Sequence, residues 1–262
     1  MTKHVVMFSG GAGSWAAAKR VVIKHGAENV VLLFADVLME DEDLYRFISE
    51  AADNVGAPLV RIADGRTPWA VFEQVRYIGN SRVDPCSKHL KRDLLDKWRD
   101  TNCTKDDTVI HVGLSWWEPH RWERTREITA SQGWTYEAPL FDYPQLDPDQ
   151  ILDWMRTEGI RPPRLYEMGF THNNCGGFCV KAGQASFARL LDKLPERYAE
   201  HEALEEYCRA IGINGTILKD RRFGNTKGVP MTMKQFRLRI EKEANDFDCN
   251  DEGGCGCALA TD

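Results

Sequence analysis

Four short apolar runs, HVVMF at 4–8, NVVLLFAD at 29–36, PLVRIAD at 58–64 and DTVIHVGL at 107–114, alternate with helical patterns through the first half of the chain. Runs this short and this rich in Val, Ile and Leu read as strands buried on both faces, the kind found in parallel sheets covered by helices. Stretches between them supply the crossovers: a helix ending near Gly26, then EDEDLYRFISEAADNVGA, then CSKHLKRDLLDKWRD. The rhythm predicts an α/β fold built on a doubly wound, mostly parallel sheet.

Ligands of such sheets bind outside the carboxyl ends of the strands, so the informative residues are those that follow each run. They are Ser9 to Ser14, Asp36, and Gly113 to Arg121. From about Pro144 the pattern becomes helical, in PDQILDWMRTEGI and GQASFARLLDKLPERYAEHEALEEYCRAIG, with a cysteine-bearing turn between. The last stretch, DFDCNDEGGCGCALATD, is acidic and glycine-rich without a hydrophobic period. The expected organisation is an α/β ligand-binding domain over 1–143, a helical region over 144–244 and a flexible, cysteine-containing tail over 245–262. A chain of 262 residues with 42% hydrophobic content can bury one large core or two small ones.

The turn after the first strand has two readings. Gly11-Ala12-Gly13-Ser14-Trp15-Ala16 fits the dinucleotide pattern G-x-G-x-x-G/A, with Asp36 twenty residues beyond Ala16, and on that fragment a nicotinamide or flavin enzyme is expected. Started at Ser9, the letters SGGAGS match an S-G-G-x-x-S loop, whose glycines let backbone amides ring a pyrophosphate while serine hydroxyls complete the ring. In both cases the following helix adds its positive end. A Walker A loop is excluded, because no Gly-Lys-Ser/Thr occurs and the first lysine after the glycines is Lys19, inside the helix.

A net charge of −6 argues against broad, sequence-independent binding to nucleic acid, which leaves a local basic stretch that meets a tRNA or a phosphate as the remaining route to such a partner. The N-terminus has no secretory apolar region, and no run of 18 uncharged apolar residues occurs, so a cytoplasmic protein without a membrane partner is expected. In that compartment, eight cysteines point to metal, cluster or redox chemistry rather than to a disulfide framework.

Five separated segments choose between the readings of the turn: SGGAGS at 9–14, FADVLMEDEDLYRFI at 34–48, PCSKHLKRDLLDKW at 85–98, VGLSWWEPHRWER at 112–124 and LYEMGFTHNNCGGFC at 165–179. In this order they resemble the PP-loop ATP pyrophosphatases (adenine nucleotide alpha hydrolases), specifically the branch containing phosphoadenosine phosphosulfate (PAPS) reductases. The first is similar to that family's SGGxDS loop, and the second to FADTG-E-PETY-FI, with Asp36 and Tyr45 in corresponding places. The third resembles C-x-x-x-L-K-x-x-P-L-x-x-W with Leu94 for the proline. The fourth resembles G-x-R-x-x-E-S-x-R, keeping Gly113, Glu118 and Arg121, and the fifth resembles LYE-G-x-x-x-x-x-C-x-x-C.

The resemblance implies that Ser9, Gly10, Gly11, Gly13, Ser14, Asp36, Gly113, Glu118 and Arg121 bind ATP, or the related sulfonucleotides PAPS or APS, with chemistry at the α-phosphate. Two departures stand out. Gly13 replaces the loop aspartate, a carboxylate tied to Mg²⁺ in the family, and Ser115 or Trp116 replaces an arginine, leaving Arg121, Arg124 and Arg126 as nearby positive charge.

Family members with a [4Fe-4S] cluster supply cysteines from the positions matching Cys86, Cys175 and Cys179, and the tail offers Cys249, Cys255 and Cys257 for a fourth. Four thiolates suit zinc equally well. In cluster-free PAPS reductases a mobile C-terminal cysteine is the nucleophile, a role matching Cys255 or Cys257 and implying a thioredoxin-like reductant. Cys103 and Cys208 read as ordinary residues and His111 as structural; His120, beside Glu118 and Arg121, is a candidate phosphate contact, His172 a candidate outer donor or fourth ligand at the cysteine turn, and Trp116 and Trp117, otherwise of a core type, candidates to flank adenine. Three functions follow as expectations: an ATP-dependent adenylating sulfurtransferase, a sulfonucleotide reductase (an oxidoreductase), and a non-catalytic nucleotide- or metal-binding module. The complete loop favours ATP.

Overall fold

The computed structural model describes residues 2–220, 222, 228–243 and 246–253. Its centre is a five-stranded sheet of β1 (Lys3–Met7), β2 (Val30–Asp36), β3 (Leu59–Ala63), β4 (Thr108–Val112) and β5 (Thr135–Glu137), in the order β3-β2-β1-β4-β5. Every neighbouring pair is parallel, with Val5 opposite Val31 on one side and Ile110 on the other. The expected α/β class and doubly wound sheet are therefore present. The added strand β5 is only Thr-Tyr-Glu, too short to carry a hydrophobic period, and forms by pairing with the free side of β4.

Strand alternation sends Val6, Phe8, Leu32 and Phe34 to one face of the sheet and Val5, Met7, Leu33 and Ile110 to the other. The first face is covered by α1 (Ala12–His25), α2 (Glu42–Val55) and α7 (Pro148–Thr157), through Trp15, Leu44, Phe47 and Met155. Ala16, Ala17 and Ala18 of α1 are fully buried, their small side chains allowing the helix to lie close to the strands. Against the second face lies α5 (Asp93–Asn102), reached from α3 (Pro68–Val75) through the short α4 (Pro85–Ser87) and a wider turn at Lys88–Arg92; Trp122 of α6 (Pro119–Ser131) joins it.

A second core lies under the C-terminal elements: α8 (Arg164–Glu167), α9 (Gln184–Lys193), α10 (Pro195–Ala210), the antiparallel ribbon β6 (Leu218–Asp220) and β7 (Val229–Met231), and α11 (Met233–Lys242). Phe178, Phe187, Tyr198 and Phe236 fill it, together with Trp69 and Phe72 of α3. The continuous helical pattern after Gly183 divides at Leu194, because Pro195 has no amide to donate and is best placed in the first turn of a new helix, α10.

The described part of the acidic tail is held by carboxylates and carbonyls. The amides of Gly183 and Ala185 donate to the carbonyls of Glu252 and Asp251, each at 3.0 Å, and Arg189 pairs with Glu252 at 2.7 Å. Cys249 is exposed. Cys255 and Cys257 lie outside the described residues. No helix among the described residues is long and apolar enough to cross a membrane.

The chain passes from β1 outward to β2 and β3, then returns to place β4 on the other side of β1. The strand order therefore reverses between β1 and β4, the position outside whose carboxyl ends ligands of such sheets bind. The two segments at those ends are the glycine turn and the stretch that begins at Gly113.

Candidate functional site

After β1 the amide of Phe8 still bonds the carbonyl of Leu33, at 2.8 Å, and the chain then turns at Gly10, whose φ of +77° suits glycine. Gly11 is extended and caps α1 without a side-chain acceptor. The first turn of the helix closes on itself: the Ser14 and Trp15 amides donate to the Gly11 carbonyl at 3.1 and 3.2 Å, and the Ser14 hydroxyl adds a third bond to it at 2.8 Å. The Ala12 amide donates to the hydroxyl of Tyr166 at 3.1 Å. Among the described residues, the amides of Gly10, Gly11 and Gly13 make no hydrogen bond. Backbone donors gathered at a helix N-terminus favour an anion.

Gly13 and Gly113 explain each other. A Cβ on Gly13 would stand 3.1 Å from the Gly113 carbonyl oxygen, and a Cβ on Gly113 only 2.8 Å from the Ser14 backbone. The end of β4 thus lies backbone to backbone against the start of α1, and the glycine in place of a loop aspartate has a packing reason. Ser9, Gly10, Gly11, Gly13, Ser14 and Gly113 are brought together.

The other expected nucleotide contacts are committed to protein partners. Asp36, buried at the end of β2, accepts from the Leu38 amide (2.8 Å), the Tyr45 hydroxyl (3.0 Å) and the Arg61 guanidinium (2.9 Å). Burial and the neighbouring Asp36 carboxylate push the Tyr45 phenol up to about 12. Glu118 pairs with Arg121 three residues on and accepts from the Ser115 amide. Trp116 and Trp117 are partly exposed and meet edge to face; Trp116 donates its indole N–H to the Leu146 carbonyl at 3.2 Å.

The segment that follows α8 reaches back to the loop. Asn173, almost wholly buried, donates its side-chain amide to the Gly10 carbonyl at 3.1 Å. Two residues later Cys175, Gly176 and Gly177 take successive φ values of +51°, +59° and +83°, a rare course for a non-glycine residue at its first position. That turn is fastened to the loop after β2: the Cys175 amide donates to Glu40, while Arg197 bonds both the Gly176 carbonyl and Asp41, each at 2.7 Å. Asp41 also takes Arg164 at 2.8 Å. Burial works to raise the Asp41 carboxyl, but the hydrogen bonds from Arg164 and Arg197 outweigh it and hold the group below the ordinary carboxylate range.

Cys86, Cys175 and Cys179 line one small cavity partly open to solvent, with Lys91, Lys181 and Asp84 also on its wall. The expected fourth member of the set, Cys249, is not on that wall. As arranged, no group of three or more His, Cys, Asp or Glu side chains among the described residues is able to hold a metal ion. The three thiols thus share one cavity wall.

His172 accepts from the Asn174 amide at 3.4 Å. His111 is buried, with its Nε2 2.9 Å from Nδ1 of His4, whose ring stacks on His25 at 3.8 Å. Burial, then the neighbouring His4 and His25, lower His111 to about 3.

Tyr166 and Asn173 were not singled out from the sequence. Their letters stand in the fifth resembling segment, but nothing in their spacing points to a loop more than 150 residues away.

No protein-family profile matches the chain, and no curated protein matches it. Among solved structures it is similar to a phosphoadenylyl-sulfate (PAPS) reductase from Candida auris in a phosphate complex, with 13% identity over 65% of this chain and 78% of that one, at a TM-score of 0.45. It is also similar to a predicted subunit of tRNA methyltransferase from Methanocaldococcus jannaschii, with 19% identity over 62% of this chain and 90% of that one, at a TM-score of 0.37.

Proposed function

We propose that this chain is a PAPS reductase-like PP-loop protein that binds an adenine nucleotide with its pyrophosphate on residues 9–14, and that it acts at the α-phosphate. The observation that carries the reading is the set of amides at Gly10, Gly11 and Gly13 that are unbonded among the described residues, at the N-terminus of α1 and beside the reversal of strand order. ATP is the preferred nucleotide because it presents a β,γ-pyrophosphate to those donors.

In the reaction so proposed, an acceptor oxygen attacks the α-phosphorus, the bond to the bridging oxygen breaks, and pyrophosphate leaves with its developing charge held by the loop amides. The acceptor's proton passes to solvent. A persulfide, Cys–S–SH, loaded on one thiol by an external sulfur donor then attacks with its outer sulfur and displaces AMP. A second thiol cleaves the resulting Cys–S–S–acceptor disulfide to release the thiolated acceptor, a thioredoxin-like dithiol reducing the disulfide left on the protein. The candidates for those thiols are the cavity cysteines and the tail residues Cys255 and Cys257. Reduction of PAPS or APS would draw on the same thiols, with a thioredoxin-like dithiol restoring them.

A second reading, nucleotide binding without cleavage, is favoured by Gly13: its contact with the Gly113 carbonyl leaves little room for the carboxylate that the resembling loops carry. Calorimetric titration with ATP, PAPS and NAD, followed by assay of AMP and pyrophosphate release, separates these readings. ATP binding with release of both products supports adenylation, and binding without release supports the second reading. Failure to bind ATP or PAPS, or tight NAD binding that ATP does not compete with, would overturn the proposal.

A further inference from the structure

The Ala12 amide is the first donor of α1, and in a helix that opens an anion-binding loop it would be the natural partner of a phosphate oxygen. Here it is already taken. The Tyr166 hydroxyl, carried on α8 from 154 residues away, accepts it at 3.1 Å, and the same oxygen lies 3.3 Å from where a Cβ on Gly11 would stand. The hydroxyl therefore sits directly over the turn, while the amides on either side of Ala12, those of Gly11 and Gly13, are without a hydrogen bond among the described residues.

We propose that Tyr166 sets the affinity of the loop for a pyrophosphate group by occupying the Ala12 amide in the ligand-free protein and giving it up when the anion arrives. The inference rests on the reading of residues 9–14 as a pyrophosphate site. A neutral phenol oxygen is a weaker acceptor for an N–H than an ionised phosphate oxygen, so the exchange is favourable. It nevertheless costs the bond already made, and the free protein is spared a buried, unpaired donor at the start of α1. The fit over Gly11 is close because any side chain there would press on the hydroxyl.

The test is titration of the full chain and of Tyr166→Phe with inorganic pyrophosphate and with ATP, with thermal melting of both free proteins to establish that the variant is folded. Phenylalanine keeps the ring and removes the hydroxyl, and with it the oxygen that holds the Ala12 amide. The expected result is tighter pyrophosphate binding by Tyr166→Phe, by about two- to tenfold, the factor that one net hydrogen bond corresponds to. Equal or weaker binding by the variant, with the parent still binding, would overturn the role of Tyr166 and leave the site standing, since it would mean that the hydroxyl is neutral or donates to the anion. No pyrophosphate or ATP binding by either protein would overturn both the role and the site.

Discussion

Asn173 and Gly10 lie 163 residues apart in the chain and are joined by a hydrogen bond of 3.1 Å from the Asn173 side-chain amide to the Gly10 carbonyl. The bond ties the glycine turn to the segment that carries Cys175 and Cys179, so the two turns share one anchor. Asn173→Asp places a carboxylate oxygen against that carbonyl in a buried site. A loss of about 2–3 kcal/mol in stability is expected, larger than for Asn173→Ala, together with weaker nucleotide binding. Chemical denaturation and calorimetry of both variants check it; equal behaviour of the two would mean that the donor has no part in holding the loop.

Gly113→Ala tests the backbone contact between β4 and α1. Its Cβ would fall 2.8 Å from the Ser14 amide nitrogen and Cα, atoms that cannot rotate away. The start of α1 must shift, at a cost of about 1–3 kcal/mol, and the geometry of the loop amides shifts with it. Nucleotide affinity should fall by more than stability alone accounts for, as measured on folded variant by calorimetry below its melting point.

Asp41 is clamped between Arg164 and Arg197 and also caps α2 by accepting from the Asp43 amide. Asp41→Asn keeps an oxygen for the cap and removes the charge both arginines face. A loss of about 3 kcal/mol is expected, at the lower end for a broken buried pair because both arginines retain contact with water. Since the native carboxyl titrates below its unfolded value, its contribution is complete above the ordinary carboxylate range and is lost as pH falls through the native pKa. The variant should therefore lose less stability than the parent on acidification, which melting curves at stepped pH would show.

Buried histidines add a second acid sensitivity at higher pH. Burial, then Arg197, lower His201 to about 3, and His111 is lowered to the same value among His4, His25 and Lys24; His4 is lowered too, with Glu137 opposing. A base with a depressed native pKa is protonated first in the unfolded chain. Its stabilisation is therefore complete above the unfolded value of 6.5 and is lost as pH falls from there toward 3. Each such histidine contributes up to about 1.4 kcal/mol per pH unit in that window. The melting temperature should drop steadily between pH 6.5 and 4, and more gently in His111→Asn; identical slopes would show that His111 is not a source.

Much of the frame was legible in the letters. HVVMF and NVVLLFAD read as buried parallel strands because Val and Leu on both faces leave no side for water, and both are central strands. Proline broke the long pattern after Gly183, a local effect that the unbroken helical reading passed over. The strand Thr135–Glu137 and the ribbon of Leu218–Asp220 with Val229–Met231 had no local signal, since three-residue strands exist only through their partners.

The same division runs through the candidate site. The sequence by itself determined the glycine turn between a strand and a helix, because the need for a positive φ at Gly10 and for close approach at Gly13 leaves a mark in residue type. It also marked Cys86, Cys175 and Cys179, which come to line one cavity. Only the tertiary structure decided that Asp36 spends its carboxylate on Leu38, Tyr45 and Arg61, and that Tyr166 and Asn173 close over the turn. The physical reason is that a backbone conformation is chosen locally, whereas the partner of a buried donor or acceptor is whichever distant group the packing of whole elements brings within 3 Å or so.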